Sequence, residues 1–192
     1  MLLANLKGKK IVLASKSPRR QNLVAGLDID CEVQIRDVEE VYPDDLPLHE
    51  VPEYLAKLKA SAWGDDLENQ LIITADTVVI HDGKILGKPK DRDQAMDMLH
   101  SLSGKTHEVV TGVAITTSDK KMSFSDTTKV TFAELTAEEI GHYIDKYEPY
   151  DKAGSYGAQE FIGYIAITRL EGSYFNVMGL PVHRLFAELK KL

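Results

Sequence analysis

The chain has 192 residues, 43% hydrophobic and 28% charged, which suits an ordinary globular protein with a sizeable core and excludes a disordered one. Its formal net charge of -7 argues against a protein that wraps a nucleic-acid backbone, so any positive site has to be local. A single cysteine, Cys31, cannot close an internal disulfide, and no apolar run is long enough for a signal peptide or a bilayer span, so a cytoplasmic protein without a membrane segment is expected.

In chain order, KIVLA at 10 to 14 reads as a short apolar strand. ASKSPRR at 14 to 20 then offers Ser17 as an N-cap and Pro18 as the first helical residue, with Gly26 to end the helix. Arg19 and Arg20 conflict with that start, because a helix N-terminus carries positive partial charge and normally attracts carboxylates. An anion docked there would remove the conflict, so an anionic ligand is the first expectation. CEVQI at 31 to 35 predicts a strand with Cys31 as a small core residue, and an acidic polar stretch follows. A helix is expected within about 49 to 62. LIITADTVVIHDGKILGKP then predicts a strand entering a hairpin turned by Asp82-Gly83. Asp91 caps a helix running through Leu102, and strands at about 107 to 117 and 123 to 133 are joined by SDKK. Thr136 and Glu139 form a capping box for a helix to about Lys146. The tail holds a Gly-rich loop at 151 to 159, a strand near 162 to 169 and a helix from about Val182. With no repeat and no linker, residues 1–192 read as one α/β domain around a mixed sheet.

Several stretches carry candidate chemistry, each with a plainer reading beside it. Asp76, in ADT after the apolar run LIIT, suits a metal ligand or general base at a strand end, or else a turn aspartate. Lys88, in GKPKD, is a phosphate-binding point charge or a solvated lysine before a helix cap. In DKAGSYGAQ, Gly154 and Gly157 stand beside Lys152 and Gln159, which suits a ligand cradle or an ordinary surface loop. Glu39, in VEE, matters only if the chain folds it toward Asp76, and Lys57 and Lys59 otherwise read as lysines of an amphipathic helix.

Taken in order, ASKSPRR, VEE, AKLKA, ADTVV, GKP, LSGKTHEVVTGV, DKAGSYGAQ and GSYFNVMGLP resemble the Maf family of nucleoside triphosphate pyrophosphatases, from Ile11 to about Pro181. The resemblance implies an elongated α/β fold, a mixed sheet flanked by helices with two lobes and a central cleft, of the inosine triphosphatase-like kind. It implies hydrolysis of a triphosphate to monophosphate and pyrophosphate with a divalent metal, Mg²⁺ or Mn²⁺. Ser17, Arg19 and Arg20 match the phosphate signature, with Lys152 taken as a further substrate contact. Glu39 matches a carboxylate near metal and phosphates, Asp76 the proton acceptor that shares the metal, and Lys59 and Lys88 the essential lysines. Thr77 and Gln159 match the base-selecting positions and point to the dTTP/UTP branch. Thr74 and Glu160 stand where glycines are usual. A homodimer is also implied. The alternatives are a non-catalytic protein associated with septum formation and division, and a nucleotide sensor. A kinase-like P-loop is absent from the sequence.

Overall fold

The computed structural model describes residues 3–65 and 67–192; Met1, Leu2 and Asp66 lie outside the described residues. Strand β1 (Lys10–Leu13) leads through Ser17, whose side chain caps the first turn, into α1 (Pro18–Ala25). Strand β2 (Glu32–Val33) is shorter than the 31 to 35 expectation, and both its residues are exposed. Cys31 lies before it and is half-buried rather than a core residue; burial, then Asp30, push its thiol pKa up. Helix α2 (Val51–Ser61) precedes β3 (Gln70–His81), which turns into β4 (Lys84–Leu86). Asp82 and Gly83 both have positive φ, 48 and 70, as a tight hairpin turn demands.

Helix α3 (Arg92–Leu102) follows, capped by Asp91, then strands β5 (Thr106–Thr116) and β6 (Lys121–Phe132). Helix α4 (Ala137–Tyr147) starts with the expected capping box between Thr136 and Glu139. The strand expected near 162 to 169 is found only from Ile167, as β7 (Ile167–Glu171); the residues before it form a short helix, α5 (Phe161–Ala166). Ile162, Gly163 and Ala166 are the buried residues of that helix, a spacing of one helical face, whereas a strand would have buried alternate residues. Two helices close the chain, α6 (Tyr174–Met178) and α7 (Val182–Leu189).

Among the described residues the strands form one mixed seven-stranded sheet in the order β2, β1, β3, β5, β6, β7, with β4 paired to β3. β1 runs parallel to both β2 and β3, while the β3–β4 and β6–β7 pairs are antiparallel. By its internal packing the chain divides into two compact units. The first comprises the residues through Asp76 with Thr111–Asp126 and Gly179–Leu192; the second comprises Thr77–Val110 and Thr127–Met178.

In the first unit Val12, Trp63, Leu67 and Ile72 form one buried cluster, and Ala56 and Ala60 of α2 pack against Ala114 of β5. The small residues let helix and strand backbones approach closely. A Cβ on Gly112 would fall 2.2 Å from the Glu53 nitrogen, so glycine is required there. The second unit has its own larger core, built from α3, α4 and α5 around Val109, Val130 and Phe132.

Candidate active site

Two periodicities bring the first charged pair together. Alternate residues of a strand share a face, and helical residues three apart do as well. Thr74 of β3 donates its hydroxyl to the Ala56 carbonyl of α2 at 2.6 Å. Two residues along β3 and three along α2, Lys59 Nζ lies 2.6 Å from Asp76 Oδ1. Thr74, which departs from the expected glycine, is thereby a fully buried bridge between strand and helix.

Asp76 does not sit at the end of a strand as expected. β3 runs on to His81, but its pairing with β1 stops at Ile73 and its pairing with β4 starts at Val79. Asp76 lies in that interval, where the strand's own carbonyls become available to side chains. Arg20 of α1 uses one of them: its Nη1 donates to the Ala75 carbonyl and its Nε to the Gly179 carbonyl, each at 2.8 Å. Burial pulls the Arg20 pKa below that of a free guanidinium, Asp76 pulls it back up, Arg19 pushes it down and Glu40 raises it. The positive charge at the start of α1 is therefore answered partly by acids of the protein itself. Ser17 accepts the Arg20 amide at 3.5 Å, so the cap and the arginine belong to one turn.

The acid that reaches this group is Glu40. Its Oε2 lies 3.2 Å from Lys59 Nζ, while Glu39 is an exposed neighbour on the same loop. The Val41 N–H donates to the Glu39 carbonyl at 3.0 Å, so Glu40 sits at the centre of a tight turn in this loop. The loop is anchored a few residues earlier, where Arg36 lies over the Trp63 ring at 4.2 Å from its centroid and donates to the Ala62 carbonyl at 2.8 Å. Lys59 is thus a cation held between two carboxylates. That donor set consists of hard oxygens, and among the described residues no group of three or more His, Cys, Asp and Glu side chains is arranged to hold a metal. Carboxylate oxygens of this kind are the donors that hard divalent cations take.

The remaining sequence candidates belong to the second unit. Lys88 is exposed on the loop after β4, and Thr77 is half-buried on β3. The Gly-rich segment is neither a flexible surface loop nor an open anion cradle. Gly154 N–H donates to the Gly87 carbonyl and Gly157 N–H to the Tyr143 hydroxyl, each at 3.0 Å, so both amides are used internally. Lys152 is buried and paired with Asp151 and Glu160. Gln159 is half-buried, and its carbonyl oxygen is enclosed without a hydrogen-bond partner among the described residues.

A family model described as Maf-like protein matches residues 10–192. The chain belongs to the Maf family. Among curated relatives, a dTTP/UTP pyrophosphatase of Porphyromonas gingivalis is 57% identical over 98% of this Maf-family chain and 97% of its own length. One from Phocaeicola vulgatus, with the same name, is 55% identical over the whole of both chains. Among solved structures, the Staphylococcus aureus Ham1 protein aligns with a TM-score of 0.56 at 18% identity, covering 95% of this chain and 99% of that one. That likeness establishes a shared fold. The residues missed by sequence reasoning, Glu40 and the Tyr143–Glu160 contact, had weak signals: an acid doublet, and a charged residue where the resemblance expects glycine.

Proposed function

We propose that this chain is a nucleoside triphosphate pyrophosphatase that cleaves dTTP and UTP to the monophosphate and pyrophosphate, with a divalent metal. The observation that carries the proposal is the joining of Asp76, Lys59 and Glu40 into one charged group beside the Arg20 guanidinium. Full-length identity of 57% and 55% to relatives named dTTP/UTP pyrophosphatase supports the substrate class. The family match runs through both units, which supports treating the chain as one catalytic domain.

In the proposed mechanism Arg19, Arg20 and the start of α1 hold phosphate oxygens, and Lys88 adds a further positive charge. Lys59 orients the Asp76 carboxylate. Asp76 takes a proton from water attacking in line at phosphorus, the bond to the bridging oxygen breaks, and pyrophosphate leaves with the electron pair. Glu40 takes the part expected of Glu39 and, with Asp76, would hold the Mg²⁺ or Mn²⁺. Such an ion, when bound, withdraws charge from the phosphate oxygens. Thr77 and Gln159 select the base: a glutamine amide carries an acceptor that suits the N3–H of uracil and thymine and a donor that suits O4.

The deciding experiment is a panel of nucleoside triphosphates with Mg²⁺ or Mn²⁺ that resolves pyrophosphate from orthophosphate. Pyrophosphate from dTTP and UTP, lost with a chelator and restored by either ion, is the expected result. Orthophosphate as the product, or preference for purines, would count against it. Among the described residues no helix is long and apolar enough to cross a membrane. The cytoplasmic location and the homodimer belong to the same proposal; cell fractionation tests the first and light scattering the second.

A further inference from the structure

The second unit contains a charged cluster that catalysis as proposed does not use. Lys152 is 7% exposed, and its ammonium lies 2.7 Å from Asp151 Oδ1 and 3.2 Å from Glu160 Oε1. The other Glu160 oxygen accepts the Tyr143 hydroxyl at 2.5 Å. That hydroxyl in turn accepts the Gly157 amide at 3.0 Å. Tyr143 is fully buried on α4 and stacked on Tyr147, so its hydroxyl is a fixed point. Burial, and after it the bond to Glu160, push the Tyr143 pKa up, so the phenol keeps the proton that it donates.

These contacts converge on one short turn. Glu160 N–H donates to the Gly157 carbonyl at 3.0 Å, closing residues 157 to 160, and Tyr143 grips both ends of that turn. Gln159 rides inside it. A Cβ on Gly157 would fall 2.8 Å from the Glu160 carboxyl carbon and 3.0 Å from Gln159 Nε2, so both side chains lie over bare glycine backbone. Meanwhile the Gln159 oxygen is buried and unpartnered among the described residues. Burying ionic groups is a poor route to stability, and a buried acceptor left unpaired is costly. Both features make sense if the cluster serves the amide beside it.

We propose that Glu160, clamped by Lys152 and the Tyr143 hydroxyl, is a positioning residue that fixes Gln159 for reading a uracil or thymine edge. This rests on the function proposed above, in which Gln159 faces the base. Uracil and thymine offer a donor at N3, where cytosine offers an acceptor. A glutamine amide presents oxygen or nitrogen according to its rotation, so discrimination requires a held amide. A loosened turn lets the nitrogen face cytosine, and selectivity falls.

The test measures kcat and KM for dTTP and dCTP with the full chain, comparing wild type with Tyr143→Phe, Glu160→Gln and Glu160→Ala. Tyr143→Phe and Glu160→Ala are expected to lower the dTTP to dCTP ratio of kcat/KM by about tenfold, mainly by raising KM for dTTP. Glu160→Gln still accepts the Tyr143 hydroxyl and should retain more of the ratio. A cluster that only stabilised the fold would depress both nucleotides together and leave the ratio alone. Tyr143→Phe keeps the packed ring, so it serves as the folded test should Glu160→Ala not fold. An unchanged ratio in folded Tyr143→Phe overturns the proposal, as does a wild type without preference between the two bases. A wild type that releases no pyrophosphate from any nucleotide removes the function and this proposal together; a selective wild type with indifferent variants removes this proposal alone.

Discussion

Replacing Asp76 with asparagine separates chemistry from scaffolding, because asparagine keeps the side chain's shape and loses its charge. The Asp76 and Lys59 side chains are 14% and 18% exposed, so solvent screens the pair poorly. A hydrogen bond to a charged group contributes about 1.5–3 kcal/mol. In Asp76→Asn the amide oxygen would still accept from Lys59, and Glu40 at 3.2 Å still supplies an opposite charge. The expected loss is therefore about 1–2 kcal/mol, a melting temperature lower by about 2–8 °C for a chain of this length. Part of that loss comes through Arg20, a half-buried guanidinium whose strongest opposing charge is Asp76. Turnover should fall much further, by about a hundredfold or more, because the proton acceptor is gone. Thermal melts and steady-state pyrophosphate release on Asp76→Asn, Lys59→Met and the double variant measure both effects. Coupling in the stability cycle should be about 0.5–3 kcal/mol. Turnover within about tenfold of wild type would refute the assignment of Asp76, and strictly additive melts would refute the ion pair as a structural element.

The acid doublet gives a sharper comparison: Glu40→Gln should cost about tenfold or more in turnover, whereas Glu39→Gln should stay within about threefold, both read by the same initial-rate assay. Gly112→Ala drives a Cβ into the α2 backbone 2.2 Å away, so a loss of about 3 kcal/mol in chemical denaturation is expected, together with weakened turnover as α2 carries Lys59 out of register. His107 is buried with its pKa lowered to about 3, first by burial and then by His81. The unfolded chain protonates this residue near 6.5, so the stability it contributes is complete above that pH and drains away as pH falls toward 3. Between about pH 6 and pH 4.5 the wild type should thus lose about 2 kcal/mol more than His107→Gln in urea titrations, and equal losses would contradict the assignment.

Local rules legible in the chain carried much of this structure. Ser17 with Pro18, Asp91, and the Thr136–Glu139 box each start a helix, and Asp82-Gly83 turns a hairpin, because caps and turns depend on neighbouring residues alone. The family was legible for a similar reason, since its motifs are contiguous blocks. What failed locally was decided by packing: the apolar run at 161 to 166 became a helix because its buried residues share a helical face, which no short window reveals. The site shows the same division. Arg20, Lys59 and Asp76 were named from the sequence, yet only the fold brings Lys59 to 2.6 Å from Asp76, turns Glu40 rather than Glu39 toward that lysine, and docks Arg20 on two carbonyls. The sequence by itself determined which chemical groups the protein owns and where its helices and turns begin. Which of those groups share a counterion was settled by the tertiary structure, since Coulomb and hydrogen-bond energies depend on distances between residues far apart in the chain.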